Sequence, residues 1–498
     1  MAAISPAPKS TQEVQDVPLK MVGGVNYGRY SKISAENTFN FIVSDAALVP
    51  YAGYKNVLTQ SSTAEGRDIY ASSRGGLMLV IWGAQCYTIT YVGNVLTATF
   101  RGNLATSTGD VFTSENNNGE IAFTDGVNIY VYNYLTSIYT TLSAGVTLPA
   151  ALTNPGYISF QNGRLIVANT NSSNWYLSQP NDALTWPSTA RFVGALQSKP
   201  DTVQAAVPTP GGGNNLLLFG HNVVEQWQDV GNALFPYQRS STFNVDYGTF
   251  NASSIAAMDD YVVWIAGNEN SGASLMVIEG GSVTKISTDG IDFKLANLTN
   301  PSNCTGFLFR QDGHVIYQFT FPDDNLSYAY DFNTKLFFTV TDENLQYHIA
   351  RNVVFFENNY YFVSLNGGNL YDFGTEHTNF DYGDGIIKEI PRIRICPPLR
   401  LPSQRMFIVK SIGFTLENGE PNLVDSYGNV SEAIDMSISR DGGASYGNSW
   451  RTPMNVTGKR RSRFIKQRCG QANDLTVQFR FSGYGRFVIF DGVAEIYQ

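Results

Sequence analysis

A short pattern recurs along the first 380 residues of the chain. Each instance is an apolar strand, a two-residue polar or glycine turn, and a second apolar strand. Asp-Gly, Asn-Gly and Asn-Asn at the turn accept the positive φ values that tight hairpin turns need. The pattern therefore predicts β-hairpins at residues 121–133, 157–169, 255–267, 307–319 and 353–365.

Further strand pairs lie between these hairpins, at residues 215–228, 274–287 and 327–340. Each hairpin taken with the pair that follows it gives about seven units, whose spacing of roughly 35 to 50 residues is the period of a four-stranded propeller blade. Two stacked β-sandwiches would also contain short strands and turns. The recurrence of one hairpin type without a long helical pattern favours a β-propeller of seven blades, give or take one.

Composition and charge divide the chain into regions. With 43% hydrophobic and 13% aromatic residues and 46 glycines, the protein is expected to be all-β. Residues 1–385 carry 17 Lys and Arg against 32 Asp and Glu, a net charge of −15, whereas residues 386–498 carry 16 against 10, a net charge of +6. We expect a boundary near residues 380 to 390.

The predicted domains are an N-terminal arm and first strand (1–45), a β-propeller (46–380) and a β-sandwich that serves as an assembly platform (381–498). Residues 1–20 are polar and contain proline, so they are predicted to be a flexible arm that orders only on a partner. The Pro- and Arg-rich segment 389–404 is expected to cross from the propeller to a compact sandwich that carries the positive charge.

Cysteine and membrane signals are weak. Cys86, Cys304, Cys396 and Cys469 are widely separated, which favours buried free thiols over metal or disulfide chemistry.

The opening residues lack the apolar region of a secretory signal, and no later run reaches the ~20 apolar residues of a membrane span. The chain is expected to be made and kept in a cytoplasm, or assembled there.

One turn has the sequence of an Asp-box, the hairpin motif that sialidases repeat on several blades. Ser439, Asp441, Gly443 and Tyr446 fit Ser-x-Asp-x-Gly-x-x-Tyr. In that motif the Ser and Asp side chains bond to backbone groups and hold the turn closed. Since the motif occurs once, outside the candidate propeller, we interpret it as structural.

Other catalytic patterns are missing from the sequence. His221, His314, His348 and His377 stand apart in strand or turn contexts, outside any zinc or nucleophile motif. No glycine-rich stretch ends like a phosphate-binding loop, and no acidic turn has the spacing of a calcium loop. We predict neither catalytic residues, nor metal ligands, nor a cofactor.

A basic run at residues 458–468 is the most unusual feature. Its charged members are Lys459, Arg460, Arg461, Arg463, Lys466 and Arg468. On a strand, Lys459, Arg461 and Arg463 would share one face. The run could contact a neighbouring subunit or another protein, protect a sheet edge against aggregation, or neutralise nucleic-acid phosphates.

Three stretches give the chain a family resemblance. Residues 30–57, residues 328–340 and the C-terminal order of Asp-Gly turn, basic strand and two terminal strands resemble the packaged-DNA stabilisation proteins of short-tailed bacteriophages. These proteins are also called tail accessory, hub or nozzle proteins.

The resemblance implies a structural virion protein of the phage tail, made in the host cytoplasm. It implies a homohexameric tail hub or nozzle ring below the portal and adaptor, which extends the DNA conduit, retains the packaged genome and permits its ejection. The implied partners are other copies of the chain, the adaptor or head-to-tail connector protein, the distal tail needle or tailspike proteins, and genomic double-stranded DNA bound without sequence specificity. No membrane anchoring is implied.

A channel that gripped DNA would impede its passage. We therefore expect most of the basic run to face a neighbouring subunit or the adaptor, and acidic or neutral side chains to line the bore. Two other functions stay open: a tail-associated propeller that binds or degrades glycans as sialidases do, and a cellular carbohydrate-binding propeller.

Overall fold

The computed structural model describes residues 14–27, 36–61, 64–211, 213–403, 405–418, 432–454, 461–483 and 485–497. The chain divides into two compact units. Among the described residues, the larger unit lies within Ala52–Lys335 and Val340–Lys388, and the smaller unit lies within Met1–Tyr51, Leu336–Thr339 and Glu389–Gln498.

The larger unit contains seven groups of paired strands, which we number as blades in chain order; the pairing within them is antiparallel except for one parallel pair in blade 7. Blade 1 contains Gly66–Ser72, Leu77–Trp82, Gln85–Val92 and Val95–Asn103; blade 2 contains Phe112–Glu115, Glu120–Thr124, Ile129–Asn133 and Ile138–Leu142; blade 3 contains Pro155–Gln161, Arg164–Asn169, Asn174–Leu177 and Val193–Ala195; blade 4 contains Val203–Pro208, Asn215–Gly220, Val224–Asp229 and Tyr237–Val245. Blade 5 contains Gly248–Thr249, Ala256–Met258, Tyr261–Asn268, Ser271–Glu279 and Ser282–Lys285; blade 6 contains Thr305–Gln311, His314–Phe321 and Leu326–Asp331; blade 7 contains Ala350–Phe356, Asn359–Ser364, Gly368–Gly374, Gly53–Ser61, Asn379–Asp381 and Ile387–Glu389.

Successive blades contact one another, and blade 7 contacts blade 1, which closes a seven-bladed ring. Apolar side chains fill the spaces between blades. Trp175 and Trp227 pack edge to face between blades 3 and 4, with ring centroids 5.6 Å apart. The prediction of a seven-bladed propeller is confirmed.

The predicted hairpins form where the turn residues allow them. Asn162, Asp259 and Asp312 have φ values of 47°, 53° and 49° at the tips of three of them, the left-handed region that Asn and Asp tolerate. The glycine-rich segment 208–215 lengthens the connection between the first two strands of blade 4. Local turn chemistry therefore sets the strand boundaries of the propeller.

Blade 7 is completed by a strand from far upstream in the sequence. Gly53–Ser61 pairs antiparallel with Gly368–Gly374 and parallel with Asn379–Asp381, so it lies between them. This closing strand joins the first part of the larger unit to its last blade through backbone hydrogen bonds.

Helices are few among the described residues. The α-helix Asp289–Leu295 begins after Thr288, whose hydroxyl accepts a hydrogen bond from the backbone N–H of Ile291, and two 3-10 turns span Ala252–Ser254 and Pro322–Asp324. Within the described ranges no helix has the length and apolar character needed to cross a membrane.

The smaller unit is a β-sandwich of two sheets, as predicted. Sheet I contains Phe41–Ser44, Ala47–Pro50, Phe487–Tyr497, Phe407–Asn418 and Arg461–Ala472, with Val14–Leu19 paired to Phe487–Tyr497. Sheet II contains Leu336–Thr339, Asn37–Phe39, Arg392–Ile395, Asp474–Ser482, Ala433–Ser439 and Trp450–Pro453, with Leu399–Arg400 paired to Asp474–Ser482. Their inner faces share one core, in which Phe414 packs against Phe464 and Phe479.

The N-terminal arm differs from its prediction. Val14–Leu19 forms a strand antiparallel to the C-terminal strand, from the pair Val14 and Tyr497 to the pair Leu19 and Gly492. The prediction that residues 1–20 order only on a partner is therefore wrong for this strand, because the chain supplies its own backbone partner. Residues 1–13 lie outside the described part of the chain.

All four cysteines are buried free thiols, as predicted. Burial raises the pKa of Cys396 to about 12 and that of Cys469 to about 11. Both thiols are therefore neutral at physiological pH, which disfavours reactivity and metal binding.

Candidate functional site: the basic edge strand and its outer face

The basic run forms one edge of sheet I. Among the described strands, Arg461–Ala472 pairs only with Phe407–Asn418, in the register Glu417 to Arg461 and Thr415 to Arg463. Phe464 points into the sandwich and stacks on Phe414, with ring centroids 5.1 Å apart. Because side chains alternate along a strand, Arg461 and Arg463 lie on the opposite, exposed face.

The rest of the run does not extend that basic face. Lys466 lies on the same side as Phe464, and its Nζ is 4.8 Å from the centroid of the Trp450 ring. Arg468 has a φ of 59° at an irregularity in the pairing, where alternation along the strand is interrupted. Lys459 and Arg460 lie outside the described residues. The structure thus divides the run between two faces.

An apolar row crosses the outer face of sheet I. Backbone pairing aligns Ile465 with Gly413, Gly413 with Val493, and Val493 with Pro18. Ile465 and Val493 are 49% and 41% exposed, and Pro18 is exposed as well. Three strands therefore present uncharged, mostly apolar side chains to solvent, while Gly413 lies buried between Ile465 and Val493.

Charges of both signs flank this row. On one side the Arg461 guanidinium lies 2.9 Å from the Glu417 carboxylate. On the other side Lys410 lies 3.1 Å from Glu495, and their hydrogen bond, with one from Ser411, lowers the pKa of the Glu495 carboxyl. An apolar centre with a mixed charged rim is typical of protein interfaces, whereas a surface that binds DNA is dominated by positive charge.

Two arginines of the basic C-terminal region are internal. Arg392 and Arg394 lie on a central strand of sheet II and are 1% and 0% exposed. The Arg394 guanidinium lies 2.5 Å from the Glu36 carboxylate and donates to the Thr38 hydroxyl at 2.8 Å. Burial lowers the pKa of Arg392 to about 10. The net charge of this region therefore overstates its basic surface.

The Asp-box-like turn is held by its own side chains. The Ser439 hydroxyl donates to the Asp441 carboxylate at 2.6 Å and accepts from the Gly443 N–H at 2.8 Å, and the Ser445 N–H donates to Asp441 at 3.0 Å. Hydrogen bonds from Ser439 and Ser445 lower the pKa of the Asp441 carboxyl. Tyr446 is partly buried, which raises its pKa to about 12. These contacts stabilise the ionised Asp441 inside the turn.

The propeller contains a polar cavity of about 380 Å³, lined by residues from six blades. Asp68 is the one carboxylate among its described lining residues; it accepts hydrogen bonds from Thr113 at 2.6 Å and Asn352 at 2.8 Å. Burial raises the Asp68 pKa to about 6. Glycoside hydrolysis generally uses two carboxyl groups a few ångströms apart, a pair that this lining does not supply.

The four histidines occupy different environments. His221 is exposed, and His348 is buried, which lowers its pKa to about 3. His314 bonds to Asp331 at 2.9 Å. His377 lies beside Asp372 and Glu376, so the description of the histidines as isolated is wrong for His314 and His377. The sequence did contain a signal for the cluster around His377, because Asp372, Glu376 and His377 lie within a stretch of six residues.

These features define a class of all-β protein with a seven-bladed propeller and a β-sandwich whose basic edge strand borders an exposed outer face. A family model described as the β-propeller of Bacteriophage P22 Gp10 matches residues 30–377, and one described as its β-sandwich matches residues 395–496. The chain therefore belongs to the Gp10 family, the packaged-DNA stabilisation or tail hub proteins of short-tailed phages, and is a structural protein of the phage tail.

A search of curated protein sequences found no match to the chain. Among solved structures, the extracellular domain of the BT4673 one component system from B. thetaiotaomicron is 13% identical, with a TM-score of 0.43 over 64% of this chain and 39% of that one. U3-55K is 7% identical, with a TM-score of 0.42 over 64% and 98% of the two chains. The Pan2 WD40 domain of Neurospora crassa is 10% identical, with a TM-score of 0.40 over 66% and 91%.

Proposed function

We propose that this protein forms a homohexameric tail hub or nozzle ring below the portal and adaptor of a short-tailed phage. The ring extends the DNA conduit, retains the packaged genome and lets it pass at ejection. The observation that carries the proposal is the family match over both domains, in the order propeller then sandwich. The protein acts as an assembly component and not as a catalyst.

Within that ring, the outer face of sheet I contacts a neighbouring copy of the chain. Support comes from the exposed side chains of Ile465 and Val493, which an adjacent subunit would cover, and from Arg461 and Arg463 beside them. A ring needs two unlike surfaces on each subunit, since each subunit binds the next head to tail. The acidic larger unit or the adaptor offers the complementary charge for these arginines.

Passage of DNA requires weak contact with the chain, because each neutralised phosphate strengthens binding. The mixed charges around the outer face favour a protein partner over genomic DNA. The remaining partners, the distal tail needle or tailspike proteins, would bind elsewhere on the hub. The protein would act in the virion tail after synthesis in the host cytoplasm.

The test is assembly of the purified chain on the portal and adaptor, measured by single-particle imaging and mass photometry. Six copies around an open axis are expected for the native sequence. Two variants test the interface: the double variant Arg461→Glu, Arg463→Glu and the single variant Ile465→Asp. Both should remain folded by circular dichroism, because all three side chains are exposed. Both should stay monomeric by mass photometry and fail to assemble.

The matched control is Arg405→Glu, Arg451→Glu, which makes the same change in charge at exposed positions outside the edge strand. It should assemble normally. Complete rings from the Arg461→Glu, Arg463→Glu variant would refute the interface. Monomers or peripheral trimers from the native chain would refute the hub itself.

Anisotropy titration with a 30-base-pair duplex at 0.15 M salt should detect no tight DNA binding.

A further inference from the structure

Three side chains that can bind metal converge at one turn of blade 7. Asp372 lies on the strand Gly368–Gly374, and Glu376 and His377 lie on the turn that follows it. The Nε2 atom of His377 is 3.4 Å from the Asp372 Oδ2 and 3.7 Å from the Glu376 Oε1. Ligand atoms of all three residues lie within 4.8 Å of one another.

This cluster is not a completed hydrogen-bond network. The His377 Nε2 and the Asp372 Oδ1 are buried atoms without a hydrogen-bond partner among the described residues. The pair of His314 and Asp331 is a contrast within the same propeller, because its Nδ1 to Oδ2 distance is 2.9 Å and Thr334 also donates to that carboxylate. Buried polar groups usually have hydrogen-bond partners. The unsatisfied His377 Nε2 and Asp372 Oδ1 atoms therefore indicate a ligand between these two side chains.

The separations fit a metal ion. Zinc binds imidazole nitrogen and carboxylate oxygen at about 2.0 to 2.2 Å, so neighbouring ligands of a tetrahedral ion lie roughly 3.3 to 3.6 Å apart. The observed 3.4 and 3.7 Å are close to that edge length. An imidazole ligand favours zinc or a similar transition ion over magnesium or calcium, which prefer oxygen ligands.

We propose that Asp372, Glu376 and His377 bind one divalent transition metal ion, preferably zinc, with solvent as the fourth ligand. Glu376 has a side chain that is 60% exposed, which gives the ion a route from solvent. His377 and Asp372, each 16% exposed, form the inner wall of the site.

The location gives this ion a structural role. The turn that carries Glu376 and His377 crosses the start of the closing strand Gly53–Ser61, which pairs with strands on both sides of the turn. The crossing is tight at Gly53, where an added Cβ would clash with the backbone carbonyl oxygens of His377 and Asn379. An ion that joins Asp372 to the turn would hold this crossing in place and so strengthen the closure of the propeller.

The experiment uses the full chain, stripped with a chelator and dialysed, with Co²⁺ as the optical probe and Zn²⁺ as the competitor. Native protein should bind one Co²⁺ per chain, with visible absorption bands of a low-coordinate N/O site that Zn²⁺ abolishes. Zn²⁺ should also raise the melting temperature by about 2 °C or more, since a ligand of the folded state stabilises it.

The deciding variant is Glu376→Gln, because its exposed side chain is not needed for folding. It should weaken Co²⁺ binding at least ~10-fold and remove the Zn²⁺ shift, and His377→Ala should do the same. His221→Ala, at an exposed histidine elsewhere, should bind like native protein. No saturable binding, equal binding by Glu376→Gln, or a His377→Ala effect on melting that is the same with and without Zn²⁺ would each overturn the site and leave an ion pair only.

Discussion

The propeller and the sandwich are each completed by strands from the first 61 residues, yet different side chains secure those strands. In the propeller the closing strand Gly53–Ser61 joins the last blade. In the sandwich Asn37–Phe39 lies between Arg392–Ile395 and Leu336–Thr339 in sheet II. The two closures can therefore be compared as solutions to one problem, the attachment of a distant strand.

The propeller secures its strand with aromatic packing. The Tyr54 ring stacks on Phe380 with centroids 4.4 Å apart and meets Phe362 and Tyr371 edge to face at 5.3 and 5.1 Å. Its hydroxyl is hydrogen-bonded to that of Tyr382 at 2.7 Å. Such contacts depend on shape and apolar area, so they lose strength in proportion to the atoms removed.

The sandwich secures its strand with a buried ion pair. Arg394 joins Glu36, just before the strand, and bonds to Thr38 within it. The Arg394 guanidinium also donates to the backbone carbonyl oxygens of Lys20 and Gly24. A buried pair contributes little net stability over an apolar pair, but the loss of one partner leaves an uncompensated charge. The comparison teaches that the sandwich closure is the more sensitive to single substitutions.

The largest expected change in stability is at the ion pair of the sandwich. Arg394→Met should destabilise the sandwich by about 4 kcal/mol, because the buried Glu36 carboxylate would keep only Lys20, an exposed ammonium 3.5 Å away, as its cationic partner. The measurement is calorimetric unfolding of the full chain. The double variant Arg394→Met, Glu36→Met should recover most of the loss, and a double variant as unstable as the single one would contradict the ion-pair account.

The next effect concerns the propeller. Tyr54→Ala should destabilise it by about 3 to 4 kcal/mol, through loss of a fully buried ring. Tyr54→Phe serves as the control, since it removes only the hydroxyl bonded to Tyr382 and should cost about 1 kcal/mol. Urea denaturation of both variants measures the difference. Equal losses would mean that the hydroxyl, and not the ring packing, secures the closing strand.

The same contrast explains what could be predicted from the sequence. Hairpin tips such as Asp259 and Asp312 are local signals, and the outward direction of Arg461 and Arg463 follows from strand alternation alone. The blade architecture and the exposed part of the basic strand could therefore be predicted from the sequence.

The remaining features depend on contacts between distant residues. Burial of Arg394 depends on Glu36, 358 positions away, so its charge could only be counted as part of a basic region. Closure by Gly53–Ser61 is equally non-local. Asp372, Glu376 and His377 are near in sequence, but their convergence depends on how the turn crosses the closing strand.

The central cavity permits a test of charge burial in the propeller. The Asp68 carboxyl has a pKa of about 6 when folded against an ordinary value of 3.8, so the folded state holds its proton more tightly than the unfolded state. This group's contribution to stability is therefore largest below pH 3.8 and is lost as the pH rises to about 6. Asp68→Asn should remove this pH-dependent loss of stability, because the asparagine side chain does not titrate. Its stability relative to native protein should rise by about 1 kcal/mol from pH 5 to pH 7, measured by urea denaturation, and a difference that is constant with pH would contradict the raised pKa.

The smallest expected effect on stability lies at the edge strand. Arg461 and Glu417 are 67% and 45% exposed, and ion pairs as exposed as theirs contribute about 0 to 1 kcal/mol because water and salt screen them. Arg461→Gln should therefore change the free energy of unfolding by less than about 0.5 kcal/mol in chemical denaturation. If the outer face of sheet I binds a neighbouring subunit, the same variant should still weaken ring assembly measured by mass photometry. A large loss of stability would instead make Arg461 a structural charge like Arg394, and the contrast between buried charges that hold the sandwich and exposed charges that remain available to a partner would fail.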